Sequence, residues 1–330
     1  MRKKSGSYFS IYEKERKKIN EKIKKLLVSR EPASLYNPGS YILESSGKRL
    51  RPLLVLFSAR AVGQKKTGFY NASVAVELLH NFTLVHDDIM DNADKRRGLP
   101  TLHKRYDTST AILVGDSLLS VAYELLLKDV ASKCKPVISD FNKGLVEVCE
   151  GQSLDKEFET RAEVKLPEYL IMIRKKTAAM MEMCCSIGAQ LGGGNNAEIS
   201  ALSKYGRNLG IAFQIQDDLL DIIANEAEFG KFVGGDLVEG KKTYLFLKAL
   251  EKSTGKDKSL LKNIIKNKGI KKTEISFYRD MYNRLGVIDD ARKEVKEYTK
   301  RALGSLKVLK DQNDREYFTW LADYLINRNK

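Results

Sequence analysis

The residues best suited to chemistry are six aspartates in two clusters. FTLVHDDIMD (82–91) carries Asp87, Asp88 and Asp91, and FQIQDDLLD (213–221) carries Asp217, Asp218 and Asp221. Each is an apolar run that ends in Asp-Asp-x-x-Asp. On a helix, residues four apart share one face, about 6 Å apart along the axis. Asp87 and Asp91 therefore stack with Asp88 beside them, and the second cluster repeats the pattern. Like charges at this spacing oppose one another by a few tenths of a kcal/mol per pair, and by more when partly buried. Such a cluster calls for a cation. Hard oxygen ligands without histidine or thiol suit magnesium, which keeps several waters and is shared with substrate phosphates. Carboxylates on two facing helices can hold a diphosphate through bridging metals. A solvated acidic helix end would account for one cluster; it accounts poorly for two.

Basic residues recur at turns beside these runs. Gly47-Lys48-Arg49-Leu50-Arg51-Pro52 places Lys48 and Arg51 one helical turn apart, Arg96 and Arg97 follow the first cluster, and Lys231 and Lys241 follow the second. The arginine fork matches phosphate oxygens, and lysine acts as a compact point charge. Any one of these could simply cap a helix or pair with an acid; their repetition beside metal-type carboxylates points to a polyphosphate substrate. No GxxxxGK[ST] loop is present, so a nucleotide site of that kind is unsupported.

The elements that must position these groups read as helices. Apolar residues recur at three- and four-residue steps through 53–62, 72–90, 109–127, 137–154, 168–191, 199–223, 243–250, 289–307 and 316–326, and strand-like alternation is essentially absent. Turn chemistry at NPGS (37–40), RRGLP (96–100), LGGGNN (191–196) and GKFVGGD (230–236) separates them. No Pro/Gly/Ser-rich linker splits the chain, and the Lys-rich stretch 251–272 reads as an exposed helix-loop excursion. The expectation is an all-α fold, one large helical bundle of ten or more helices spanning residues 1–330.

Composition bounds the alternatives. With 330 residues and 42% hydrophobic content the chain can bury a large core. No stretch approaches the roughly eighteen uninterrupted apolar residues of a membrane span. The basic N-terminus lacks the apolar block of a signal peptide. The four cysteines form no CxxC pair, and the three histidines do not cluster with them, so neither a disulfide framework nor a zinc site is expected. A cytoplasmic location follows. The net charge of +15 is half concentrated in residues 1–31, where Ile19, Ile23, Leu26 and Leu27 fit an amphipathic helix with a solvated basic face. That charge alone also suits a polyanionic partner, but no recognition helix or stacking pattern supports nucleic-acid binding.

Taken in order, GKRLRP (47–52), DDIMDNADKRRG (87–98), GD (115–116), GQSLD (151–155), KTA (176–178), FQIQDDLLD (213–221) and GKFVGGDLVEGKKT (230–243) resemble the trans-type polyprenyl diphosphate synthases, closest to the archaeal geranylgeranyl type. The resemblance runs from about residue 20 to the C-terminus. It implies the isoprenoid synthase fold, a helical bundle around a central cavity, and a homodimer. It also implies a magnesium-assisted condensation of isopentenyl diphosphate with allylic diphosphates. Within the metal set Asp87, Asp88, Asp91, Asp217 and Asp221, it has Asp87 and Asp91 ligate two magnesium ions and Asp217 a third, with Asp88, Asp218 and Asp221 in support. Arg96, Lys176, Lys231 and Lys241 would hold the allylic diphosphate. Lys48, Arg51, His80 and Arg97 would hold isopentenyl diphosphate, and Thr177 and Gln214 would face the allylic cation. His86 and His103 are read as structural. The C-terminal NRNK only loosely resembles a basic tail, which leaves Arg328 without a role.

Phe82, five residues before Asp87, and Thr83, four before, form the pattern of archaeal-type enzymes, in which a ring at the first position floors the product tunnel. The implied product is C20. Farnesyl or longer-chain synthases are the alternatives, followed by a non-catalytic synthase subunit.

Overall fold

The computed structural model describes residues 2–44, 47–63, 68–130, 134–224 and 233–326. Among the described residues regular structure is helical apart from one two-stranded ribbon. The chain divides into two compact units, Met1–Leu145 with Met183–Ser203 and Val308–Tyr317, and Val146–Glu182 with Lys204–Lys307 and Phe318–Lys330.

The first unit holds α1 (Arg2–Leu26), α2 (Ala33–Glu44), α3 (Leu50–Ala61), α4 (Tyr70–Met90), α5 (Leu102–Arg105) and α6 (Thr108–Val130). Tyr12, Ile19 and Ile23, spaced at seven and four residues, line the buried face of α1, and Leu27 just past its end is buried too, while Lys14, Lys17, Lys24 and Lys25 are exposed. Helix α4 is apolar nearly all round and packs against α6, α3 and α1. The burial of Leu78, Leu79 and Val85 fixes its rotation and so decides which aspartates at its end point inward. Helix α6 is long and apolar enough to cross a membrane by length and composition, and 44% of its most apolar window is buried inside the protein.

The NPGS sequence at 37–40 makes no turn. It lies inside α2, with Pro38 and Gly39 buried. The packing of Gly39 near Leu27 and Val114 and the burial of Pro38 outweigh the local preference of Asn-Pro-Gly for a turn, so tertiary context overrides propensity there. The expected turn at 96–100 is a hairpin, in which β1 (Lys95–Arg96) pairs antiparallel with β2 (Leu99–Pro100). Arg97 at φ 52 and Gly98 at φ 81 both lie in the left-handed region, as a two-residue type I′ connection requires.

The remaining helices are α7 (Cys134–Thr160), α8 (Leu166–Ile173), α9 (Ala179–Leu191) and α10 (Asn196–Ile223), then Gly235–Val238, Tyr244–Lys252, Gly255–Asn267, Ile275–Arg284, Val287–Ser305 and Gln312–Ile326. In the second unit Tyr244–Lys252 packs against α8, Gly255–Asn267 and Val287–Ser305. The Lys-rich stretch is itself anchored, because Leu261 and Ile264 are fully buried beneath its solvated lysines. Between α8 and α9 the backbone widens into a π turn at Arg174–Ala178, a feature that often marks functional sites.

Candidate diphosphate and metal site

The first unit brings the GKRLRP segment, the middle of α4 and the hairpin together. Arg51 Nη1 lies 3.1 Å from His80 Nε2. A guanidinium can only donate, so Nε2 accepts and the ring proton sits on Nδ1. Burial, followed by the charges of Arg51, Arg97, Arg96 and Arg49, pushes the His80 imidazole well below its ordinary range. It is therefore neutral, with its Nε2 lone pair already engaged. The Arg97 guanidinium reaches back to Gly47, with Nη1 3.0 Å from where a Cβ on that glycine would stand. Burial lowers Arg97 too, and the like charges of Arg49, Arg96 and Arg51 act in the same direction against the pull of Glu77. Cations crowded until they weaken one another form a site that gains from an anion.

The three basic residues of GKRLRP are not equivalent. Lys48 is exposed and Arg51 faces His80, whereas Arg49 is buried, 4% exposed. Its Nη1 donates to Glu77 Oε1 at 2.6 Å, Nη2 to the Leu43 carbonyl at 2.8 Å, and Nε to Asn20 Oδ1 at 2.8 Å. Nothing in the local spacing marks Arg49 or Glu77 out.

At the end of α4, Asp87 is half-buried and Asp91 exposed, one turn apart. Asp88 points inward, 2% exposed, and takes Arg96 Nε at 2.8 Å and Nη2 at 2.7 Å. The hairpin returns Arg96 onto this carboxylate. Burial still raises the Asp88 carboxyl above its usual range, against the charge of Arg96.

The second unit holds the other acidic set. Asp218 is buried; it accepts from Gln214 Nε2 at 3.0 Å, from the Tyr244 backbone N–H at 3.0 Å and from the Tyr169 hydroxyl. Burial, with the charge of Asp236 adding, pushes it up to about 7. Asp221 accepts from the Asp236 backbone N–H at 3.1 Å and is pushed up to about 6 by burial and by Asp236. Lys241 sits 2.7 Å from Glu239 and 3.6 Å from Asp236; although burial opposes its charge, Asp236 and Glu239 hold its ammonium above the usual lysine range. The next residue turns away, as Lys242 Nζ donates to the Phe158 carbonyl at 2.5 Å.

Lys176 and Thr177 lie in the π turn. Lys176 Nζ meets Asp155 Oδ2 at 2.5 Å, and the Thr177 hydroxyl donates to Gln214 Oε1 at 2.9 Å. Gln214 thus spans Thr177 and Asp218, joining the KTA and FQIQDDLLD motifs. A Cβ at Gly151 would stand 2.2 Å from the Lys176 nitrogen, so only glycine lets α7 lie against the turn. Gly151→Ala is expected to cost about 1–3 kcal/mol by overpacking, read by urea unfolding.

Asp236 and Asp155 belong to this arrangement and were not singled out from sequence. Their signal was present in the GGD and GQSLD motifs. Lys231 and Arg328 lie outside the described residues.

The fold is helical apart from one short ribbon, and each unit carries one Asp-Asp-x-x-Asp helix end with basic side chains near it. The chain belongs to the polyprenyl synthetase family, whose model matches residues 32–281. It is 41% identical over 317 residues to the geranylgeranyl pyrophosphate synthase of Geoglobus acetivorans, covering 95% of this chain and 97% of that one. It is 39% identical over 330 residues to the geranylgeranyl diphosphate synthase of Sulfolobus acidocaldarius, covering 98% and 100%. The crystal structure of geranylgeranyl pyrophosphate synthetase from Pyrococcus horikoshii Ot3 superposes with a TM-score of 0.91 at 38% identity, covering 98% and 99%.

Proposed function

We propose that the chain is a geranylgeranyl diphosphate synthase that joins isopentenyl diphosphate to an allylic diphosphate and releases the C20 product. The observation that carries this reading is the arginine pocket, with Arg51 hydrogen-bonded to a neutral His80 and Arg97 folded over Gly47. That pocket suits the diphosphate of isopentenyl diphosphate, with Lys48 at its exposed edge. The His80 imidazole orients Arg51 and offers Nδ1–H; it is not available as a base at Nε2. Both substrates carry a diphosphate, and only the allylic one must lose it, so two differently equipped sites are needed.

The donor sets fit magnesium. They consist of carboxylate oxygens, and among the described residues no three His, Cys, Asp or Glu side chains converge to hold an ion unaided. Such a set suits a cation that completes its shell with water and substrate oxygens. Asp87 and Asp91 in the first unit and Asp217 in the second would hold up to three magnesium ions, with Asp221 one turn beyond Asp217 and Asp236 beside Asp221. Magnesium bound there neutralises charge on the departing diphosphate. In the second unit Lys176 and Lys241 supply positive charge suited to a leaving diphosphate, and Lys231 joins them by motif; in the first, Arg96 does so beside Asp88. Asp88 and Asp218 act indirectly: Asp88 holds Arg96, and Asp218 holds Gln214 and the Tyr244 backbone. Thr177 and Gln214, hydrogen-bonded to each other, present oxygens toward the allylic cation.

The exposed Ile112, Leu113 and Leu127 on α6 support a homodimer, with α6 as a protein-covered rather than membrane-spanning helix. The whole chain acts as one cytoplasmic synthase domain. Incubating purified protein with labelled isopentenyl diphosphate, each allylic primer and magnesium is expected to give geranylgeranyl diphosphate, with no product in EDTA. No turnover with any primer would reject the reading. A ladder ending at C15, or well past C20, would reassign it to the farnesyl or longer-chain alternatives.

A further inference from the structure

We infer that Arg49 is a positioning residue for the isopentenyl diphosphate pocket, and that α1 holds it there through Tyr12 and Asn20. The inference rests on the reading of Lys48 and Arg51 as diphosphate ligands. Arg49 lies between them in the chain, yet its backbone is left-handed, φ 48, a conformation that a long side chain adopts only when its surroundings enforce it. Three contacts supply that enforcement. Glu77 on α4 pairs with Nη1, the last carbonyls of α2 contribute Leu43 O, and Asn20 on α1 takes Nε. Both members of the ion pair are almost completely buried, with Glu77 3% exposed. A buried pair of this kind contributes little net stability, but breaking it leaves an uncompensated charge, so the geometry is held firmly.

The second hold is on the preceding residue. The Tyr12 hydroxyl, on a side chain with no solvent exposure, donates to the Lys48 carbonyl. Consecutive residues are thus tied to α1, Lys48 through its backbone carbonyl and Arg49 through its guanidinium. Turning Arg49 inward sends Lys48 and Arg51 to the other side of the segment, where Arg51 meets His80. Glu77 and His80 stand three apart on α4, and so share a face of one helix. One turn of that helix holds the positioning arginine, and the next holds the ligand arginine. The N-terminal helix, whose outer face is an ordinary basic surface, therefore acts on the site through its inner face.

This arrangement predicts a selective effect. Tyr12→Phe removes one hydroxyl and keeps the ring, and one lost hydrogen bond of about 1 kcal/mol corresponds to about fivefold. KM for isopentenyl diphosphate is expected to rise about fivefold, with KM for the allylic primer within twofold. Arg49→Lys keeps the charge and loses the fork, so a larger rise is expected, about tenfold or more. Two readouts do not require turnover. Amide hydrogen exchange at residues 48–51 should quicken about fivefold in Tyr12→Phe, and calorimetric binding of inorganic pyrophosphate should weaken in step. If Arg49→Lys fails to fold, Tyr12→Phe decides alone. Equal KM shifts for both substrates, or unchanged exchange at 48–51, would overturn the inference. A wild-type protein that turns over no diphosphate pair would reject the proposed function, while the exchange experiment would still judge the clamp.

Discussion

Asp91→Ala is expected to lower kcat/KM by about 10³-fold while leaving the protein folded, the scale of loss when a group that stabilises charge in the transition state is removed. Asp91 is exposed at the end of α4 and closes no core, so its truncation should change unfolding by less than about 0.5 kcal/mol. Asp217→Ala should behave alike. Asp88→Asn supplies the contrast, because Asp88 is buried and doubly bonded to Arg96. Halving that charge-assisted contact should cost about 1–3 kcal/mol of stability, and activity should fall through the displacement of Arg96. The measurements are kcat/KM at saturating magnesium, the magnesium concentration giving half-maximal rate, and a denaturation curve for each variant. Loss of rate with normal stability at Asp91, and loss of stability at Asp88, is the pattern that separates a ligand from its neighbour. If Asp91→Ala kept activity within tenfold, Asp91 would not be a metal ligand.

The contrast between Asp88 and its neighbours shows where sequence reading works and where it stops. Four-residue spacing after an apolar run is a local property, so the acidic helix ends were legible as helix ends. Their division of labour came from the motif resemblance and not from spacing. Whether Asp88 faces the core depends on how α4 is rotated, and that rotation is set by packing against α6 and α3 along its whole length. The GKRLRP segment makes the same point more sharply. Spacing puts Lys48 and Arg51 one turn apart and leaves Arg49 as one more cation. Its inward turn depends on Glu77, 28 residues on, and on Asn20, 29 residues before. Neither partner has any local signature.

Other misses have the same origin. Asn-Pro-Gly-Ser is a turn by every local rule, yet burial of Pro38 and Gly39 keeps it within α2. The lysines of GKKT look alike by spacing, and only the motif resemblance picked out Lys241, which sits among acids while Lys242 meets a backbone carbonyl. The hairpin at 95–100, by contrast, was half visible: Gly98 signalled a turn, and the type I′ geometry that returns Arg96 to Asp88 needed the fold. Motif order carried the rest, because several short patterns in one sequence constrain the family far more tightly than any of them alone.

Chain length offers the other large effect. Phe82 is nearly buried, and its ring lies 4.6 Å from that of His86, tilted by 57°. His86 in turn approaches α6 at Gly115, where a Cβ would stand 2.4 Å from Nε2. The ring is therefore held in place by the next turn of α4, whose His86 is itself packed against Gly115 of α6, and a ring so fixed can stop a growing chain. Thr83 bonds its hydroxyl back to the His80 carbonyl at 2.8 Å, which leaves a small, satisfied side chain beside the ring. Phe82→Ala is expected to convert the main product from C20 to C25 or longer, at a stability cost of about 3–5 kcal/mol for the cavity. Thr83→Phe should act in the opposite sense and stop the chain at C15. Reverse-phase chromatography of the dephosphorylated products reads both. Because the pair brackets one position from two directions, a general loss of activity cannot imitate the outcome. An unchanged C20 product from Phe82→Ala would show that the chain stops against some other surface.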